Sequence, residues 1–200
     1  MGNKAVLISI RPRWCALIAS GEKTVEIRKS RPKMQTPFKC YIYETRGFER
    51  VGNDNLNCVV GGNGRGAVIG EFICNDIRWN GGSSLLVKED RENATRGSCV
   101  SREELLSYLG IVPGTRVYDK RCEFYCWHIS ELKIYDDPKE LSHFWKVCPK
   151  EHVCSGCEWY FPGVMDYGRC EPPCCGFYED DASLIKRPPQ SWGYVEELDE

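Results

Sequence analysis

The chain opens on an apolar run, Lys4-Ala5-Val6-Leu7-Ile8-Ser9-Ile10, short enough for a buried strand. A bracketed helix follows, with Pro12 suited to its first position and Gly21 to the residue just past its end. Trp14, Leu17 and Ile18 stand at i, i+3 and i+4, which gives that helix one apolar face. A strand begins at Thr24, and further strands are predicted at 39–44, 66–77 and 124–135, where β-branched and aromatic residues concentrate. The polar, glycine-laden stretch 47–65 reads as a long loop or a hairpin excursion. A second helix fits the stretch Ser101 to Gly110, with Ser101 as N-cap, Glu104 as its capping-box partner and Gly110 as terminator. A short third helix is expected from Asp137 or Pro138 through Trp145. Short strands with a few brief helices predict an α+β domain built around a small, mostly antiparallel barrel.

Composition changes this picture little. Two hundred residues, 42% hydrophobic and 28% charged, suit one globular domain with room for an appendage. No apolar run approaches a membrane span, and the N-terminal stretch has no signal-peptide pattern. Thirteen cysteines, an odd number, then favour a reducing cytoplasm over a disulfide framework. Charge adds more. Residues 1–50 hold 11 Lys and Arg against 4 Glu, while the whole chain is −2, so the remainder is acidic, ending in Glu196-Glu197-Leu198-Asp199-Glu200. A basic segment in a near-neutral protein hints at an anionic ligand.

Within that segment lies Ser20-Gly21-Glu22-Lys23-Thr24-Val25-Glu26-Ile27-Arg28-Lys29. In a strand, Val25 and Ile27 turn to one face, leaving Thr24, Glu26 and Arg28 in a row on the other with Lys23 at its mouth. A carboxylate holding an Arg fixes the fork of donors that suits phosphate or a base edge. The same spacing also fits a solvated face carrying a surface ion pair worth about 0–1 kcal/mol.

Gly21, Lys23, Glu26 and Arg28 match the G-x-K-x-x-E-x-R signature, and on them the chain resembles the ASCH domain, a branch of the PUA-like β-barrel superfamily. The stretches 66–77, 127–144 and 187–197 are similar to family members from phages and gut bacteria. The resemblance implies residues 1–147 as an ASCH barrel with a loop insertion at 47–65. A Cys-rich insertion follows at 148–178, and 179–200 return the final strand and acidic tail to the same domain. It also implies a cleft, lined by the signature, that binds single-stranded RNA or a nucleotide. Gly21, Lys23, Thr24, Glu26 and Arg28 would form it, and Arg187 would close it. The alternative it implies is a hydrolase acting on an N4-acylated cytidine or on RNA, with Glu26 as base and Lys23 as electrostatic stabiliser. The amidohydrolases of the family place a threonine nucleophile where Glu26 stands, and Thr24 is the nearest hydroxyl on the same face.

Cys154 and Cys157 have the spacing of half a structural zinc site, which Cys148, Cys170, Cys174 or Cys175 would complete. Cys148, Cys154, Cys157 and Cys170 are the ligand set taken here, with Zn²⁺ as a structural staple for a segment poor in aliphatic residues. Free thiols, disulfides, an iron–sulfur centre or a protein-interaction appendage are the other readings of that segment. Cys40, Cys74 and Cys126 read as small core residues. The run at 61–66 lacks the Lys-Ser/Thr ending of a phosphate loop and precedes a strand. His128 falls on the polar side of its strand. Tyr41, Tyr43, Trp79, Trp192 and Tyr194 are the aromatics available either to the core or for stacking on unpaired bases.

Overall fold

The fold, obtained as a computed structural model, describes residues 3–47, 50–51, 58–59, 64–81, 92–93, 95–111, 123–147 and 183–198. In chain order they form β1 (Lys4–Ile10), α1 (Pro12–Ala19), β2 (Val25–Arg28), β3 (Phe38–Glu44) and the short pair β4 (Arg50–Val51) and β5 (Cys58–Val59). Then come β6 (Ala67–Asn80), α2 (Arg102–Leu109), β7 (Phe124–Lys139), a 3-10 turn at Leu141–His143 and β8 (Trp192–Glu196). Six strands make one mixed sheet in the order β2-β7-β6-β3-β1-β8. β1 and β3 run parallel, and the other four neighbouring pairs run antiparallel. The 47–65 excursion contains a hairpin, since β4 pairs antiparallel with β5.

β1 is apolar at every position but Lys4 and Ser9 because both of its faces are covered. Val6, Ile8 and Ile10 join Cys15 and Ile18 of α1 with Phe38, Cys40, Ile42, Phe72, Cys74 and Trp127 in the main core. Ala5 and Leu7 point the other way, into a cluster with Tyr41, Tyr43, Val68, Phe144, Ile185 and Val195. On that outer side Lys39 pairs with Glu197 at 2.8 Å, and the Leu198 N–H donates to Tyr41 Oη at 2.9 Å, which fastens the chain after β8. Tyr41 and Tyr43 are therefore core residues. Cys40, Cys74 and Cys126 are buried as expected.

A third cluster sets the orientation of β2. Val25 and Ile27 pack on Leu105 and Leu109 of α2, with Phe124 and Cys126 of β7. The helix forms where its caps predict. Ser101 Oγ accepts from the Glu104 N–H at 3.1 Å, Glu104 Oε2 accepts from the Ser101 N–H at 2.9 Å, and Gly110 ends it at φ 74°. With the apolar residues of β2 taken by α2, Glu26 and Arg28 must face the inside of the sheet.

The sheet is an open one, which corrects the expectation of a closed barrel: among the described residues no ladder joins β2 at one edge to β8 at the other. Bulges bend the long strands instead. The β6–β7 register slips between Val68 and Gly70, Glu71 and Ile73, and Cys74 and Ile77, and each slip adds local twist. The two edges approach, and side chains bridge them: Arg28 Nη2 donates to the Ser9 carbonyl at 2.6 Å, Trp192 Nε1 to Ser30 Oγ at 3.1 Å, and the Lys33 N–H to Tyr194 Oη at 2.8 Å. β2 has only four residues, all facing β7 on one side, so side chains take over what a ladder would do.

The predicted third helix is absent. β7 runs on through Asp137 and Pro138 to Lys139, and only the turn at Leu141–His143 is helical. Among the described residues no strand pairs with the β2 side of β7 beyond Ile129, so Pro138 breaks no described ladder bond, and the Val68–Lys139 pairing keeps the chain extended. Trp145 and Lys146 bridge to Leu184 and Val195. The Cys-rich segment 148–178 lies outside the described residues, and with it Cys148, Cys154, Cys157 and Cys170. No described helix is long and apolar enough to cross a membrane.

Candidate functional site: a buried Lys–Glu–Arg array at the sheet seam

The signature residues converge because helix, turn and strand follow without slack. Gly21 sits at φ +80° with open space around it, so its role is in the backbone: it ends α1 where a side chain would be strained. The Lys23 N–H then returns to the Leu17 carbonyl at 2.9 Å, turning the Lys23 side chain inward. Glu26 lies opposite Trp127 of β7, and Arg28 opposite Tyr125.

Glu26 is the centre of the array. Its Oε2 lies 3.3 Å from Lys23 Nζ and its Oε1 lies 3.1 Å from Arg28 Nη2, two ion pairs on one carboxylate. Lys23 Nζ also donates to the Val25 carbonyl at 2.8 Å and the Ser98 carbonyl at 2.5 Å, so the ammonium is held by two hydrogen bonds and an ion pair. It stands 4.9 Å from the centre of the Trp14 ring. The Lys23 side chain is 1% exposed, and the Glu26 and Arg28 side chains are each 9% exposed. The reading as a solvated surface pair is thereby excluded.

Arg28 spans the seam. Besides the Ser9 carbonyl and Glu26, its Nη1 reaches Ser191 Oγ at 3.4 Å, on the stretch leading into β8. Its Nε–H is buried and has no hydrogen-bond partner among the described residues, and the Nε1–H of the fully buried Trp127 has none among them either. Since buried donors are nearly always paired, two unpaired ones on neighbouring strands beside a charged array are exceptional.

Thr24 is set apart from the array. It is exposed, its N–H donates to the Gly97 carbonyl at 2.8 Å, and its hydroxyl faces Gly97 so closely that a Cβ there would stand 2.3 Å from Oγ1. Arg187 is exposed, two residues before Pro189, whose carbonyl accepts from Ser9 Oγ at 2.6 Å. Trp192 and Tyr194 are half-buried, with ring centroids 5.5 Å apart, and Trp79 is the most exposed large aromatic described, at 59%. Among the described residues, no group of three or more His, Cys, Asp or Glu side chains is placed to hold a metal. Burial pushes the Cys74 and Cys126 thiols up to about 12, so neither is an ionised nucleophile near neutral pH. Sequence reasoning missed the Ser9 and Ser98 carbonyls and the role of Trp14, because backbone acceptors leave no mark on a sequence.

An open α+β sheet with this seam array defines a small ASCH-type module. A family model for the ASCH domain matches residues 8–133, more than half of the chain, and the protein belongs to the ASCH domain family. Its fold is similar to the crystal structure of ASCH from Zymomonas mobilis, with a TM-score of 0.51 at 18% identity over 96% of this chain and 88% of that one. A serine-to-alanine mutant of that protein matches with a TM-score of 0.53 at 17% identity over 96% and 89%. No curated protein matches the sequence.

Proposed function

We propose that this protein is an RNA- or nucleotide-binding module whose ligand meets Arg28 at the seam, with Lys23 and Glu26 positioning it. One observation carries the reading: two cations share a single carboxylate in a site more than nine-tenths buried, which leaves a net positive charge and an Arg28 Nε–H without an acceptor. Burying charge is costly unless it is compensated, so a ligand bringing an anionic or carbonyl acceptor gains more here than at a surface arginine. ASCH modules generally bind RNA or act as hydrolases, which agrees in kind. Lys23 is sealed, tied to two backbone carbonyls and to Glu26, so its task is to hold Glu26, which in turn aims the guanidinium.

The hydrolase alternative gives Glu26 the work of a base. Both of its oxygens are engaged by cations, so one pair must open before a proton can be taken. A titration of labelled single-stranded RNA with wild type, Arg28→Lys and Glu26→Gln, recovering the RNA afterwards, tests both. Arg28→Lys keeps the charge but loses the fork, and binding should weaken at least tenfold with the RNA intact. Cleavage that disappears in Glu26→Gln would instead make the protein an enzyme, and absence of any binding by wild type would end the RNA reading.

A further inference from the structure

The array leaves open where the rest of a polynucleotide would lie, and two loops beside it answer this. The stretch from Lys29 to Pro37 and the stretch from Lys186 to Ser191 contain no acidic residue. The first presents Lys29, Arg31 and Lys33 on the surface, and the second Lys186 and Arg187. Lys29 is drawn aside, its Nζ 5.1 Å from the centre of the Tyr108 ring of α2. Arg31, Lys33, Lys186 and Arg187 form no ion pair among the described residues, where Lys39, Arg65 and Arg78 each do.

The loops belong to opposite edges of the sheet, yet they are pinned side by side. Trp192 Nε1 donates to Ser30 Oγ at 3.1 Å, the Lys33 N–H donates to Tyr194 Oη at 2.8 Å, and Arg28 Nη1 reaches Ser191 Oγ at 3.4 Å. Pro189 is tied to Ser9, the residue that also receives Arg28. Lys186 and Arg187 are within three residues of Pro189, about 10 Å at full extension. Four unpaired cations thus flank the seam on both sides, next to the buried array.

We propose that these two loops form a backbone track for single-stranded RNA. Arg31, Lys33, Lys186 and Arg187 contact successive phosphates of a strand whose one inserted group reaches Arg28. The inference rests on the binding role proposed above. It assigns the sequence-independent, salt-sensitive part of affinity to the loops and the selective part to the array. Exposed cations can release counterions on meeting phosphate, whereas the sealed Lys23 ammonium cannot.

The test is the salt dependence of binding for a mixed-sequence RNA oligomer long enough to span both loops. Wild type is compared with a variant carrying Arg31→Gln, Lys33→Gln, Lys186→Gln and Arg187→Gln, and with Arg28→Lys. All four loop side chains are exposed, so an unchanged thermal midpoint confirms the fold of the loop variant. Its slope of log affinity against log salt should flatten by about 2 to 3, from roughly 0.7 per lost phosphate contact on a single strand. Arg28→Lys should weaken binding while leaving that slope unchanged. Wild-type binding with an equal slope in the loop variant would overturn the track and leave the array standing. No binding by wild type would overturn both.

Discussion

The Lys23 ammonium is held inside the protein by hydrogen bonds to the carbonyls of Val25 and Ser98 and by its ion pair with Glu26. Removing it therefore unmakes a buried network. Lys23→Met should lower stability by about 3 kcal/mol in urea unfolding, whereas an unchanged midpoint would mean the network is weakly coupled. A binding defect in a Lys23 variant thus cannot be read without its stability. Cysteine chemistry is a second check at this scale. Cys40, Cys74 and Cys126 are fully buried and their thiols are raised by desolvation, while Cys99 is exposed. Native alkylation at mildly alkaline pH, with peptide mapping, should label Cys99 and spare those three. Labelling of Cys126 at the rate of Cys99 would show that the β2–β7–α2 cluster opens. The residues of the array were legible in the sequence, because Gly21, Lys23, Glu26 and Arg28 stand at fixed spacing on an alternating strand. Its depth was not, since that depends on Ser9, Ser98 and Trp127 arriving from other elements.

The elements followed local chemistry closely where a cap or an alternation was strong. Ser101 and Glu104 complete their capping box, and Ser101→Ala should cost about 1 kcal/mol. Burial alone would raise the Glu104 carboxyl. Hydrogen bonds from Ser101 and the Arg13 guanidinium outweigh it and hold it below its ordinary value. A depressed carboxylate stabilises fully above its unfolded value, and that contribution fades as pH falls through the folded one. Glu104→Gln should then be less stable near neutrality and lose less on acidification. An acid profile parallel to wild type would contradict this. Gly70 makes the β6 bulge possible, because a Cβ there would stand 2.5 Å from the Lys133 carbonyl oxygen, an atom that cannot move aside cheaply. Gly70→Ala should cost about 1–3 kcal/mol, read from the thermal midpoint. The failed helix at 137–145 has the opposite lesson. A weak local pattern gave way to pairing with β6 at Lys139, and no residue within the stretch announces that partner.

For the molecule as a whole, the seam is what joins fold to proposed function. A sheet closed by backbone ladders would leave no opening, and one held only by loops would not fix a guanidinium. Here the two edges meet through side chains, and the same Arg28 that bridges them keeps one donor free. Mostly antiparallel pairing was legible from short strands with few intervening helices, but the open seam was not, since the brevity of β2 matters only once its neighbours are known. The Cys-rich segment adds a separate proposal: if Cys148, Cys154, Cys157 and Cys170 hold structural zinc, purified protein carries stoichiometric metal that Cys154→Ser with Cys157→Ser abolishes. Metal-free, folded wild type would refute it. The central claim, that ligand meets the unpaired donor of Arg28, is tested most directly by nitrogen–proton NMR of the arginine Nε–H groups during titration with single-stranded RNA. With the ligand on this donor, the Arg28 Nε–H signal moves downfield and becomes protected from exchange in proportion to bound RNA. Saturable binding that leaves this signal unmoved would place the ligand elsewhere and reduce the array to a structural clasp.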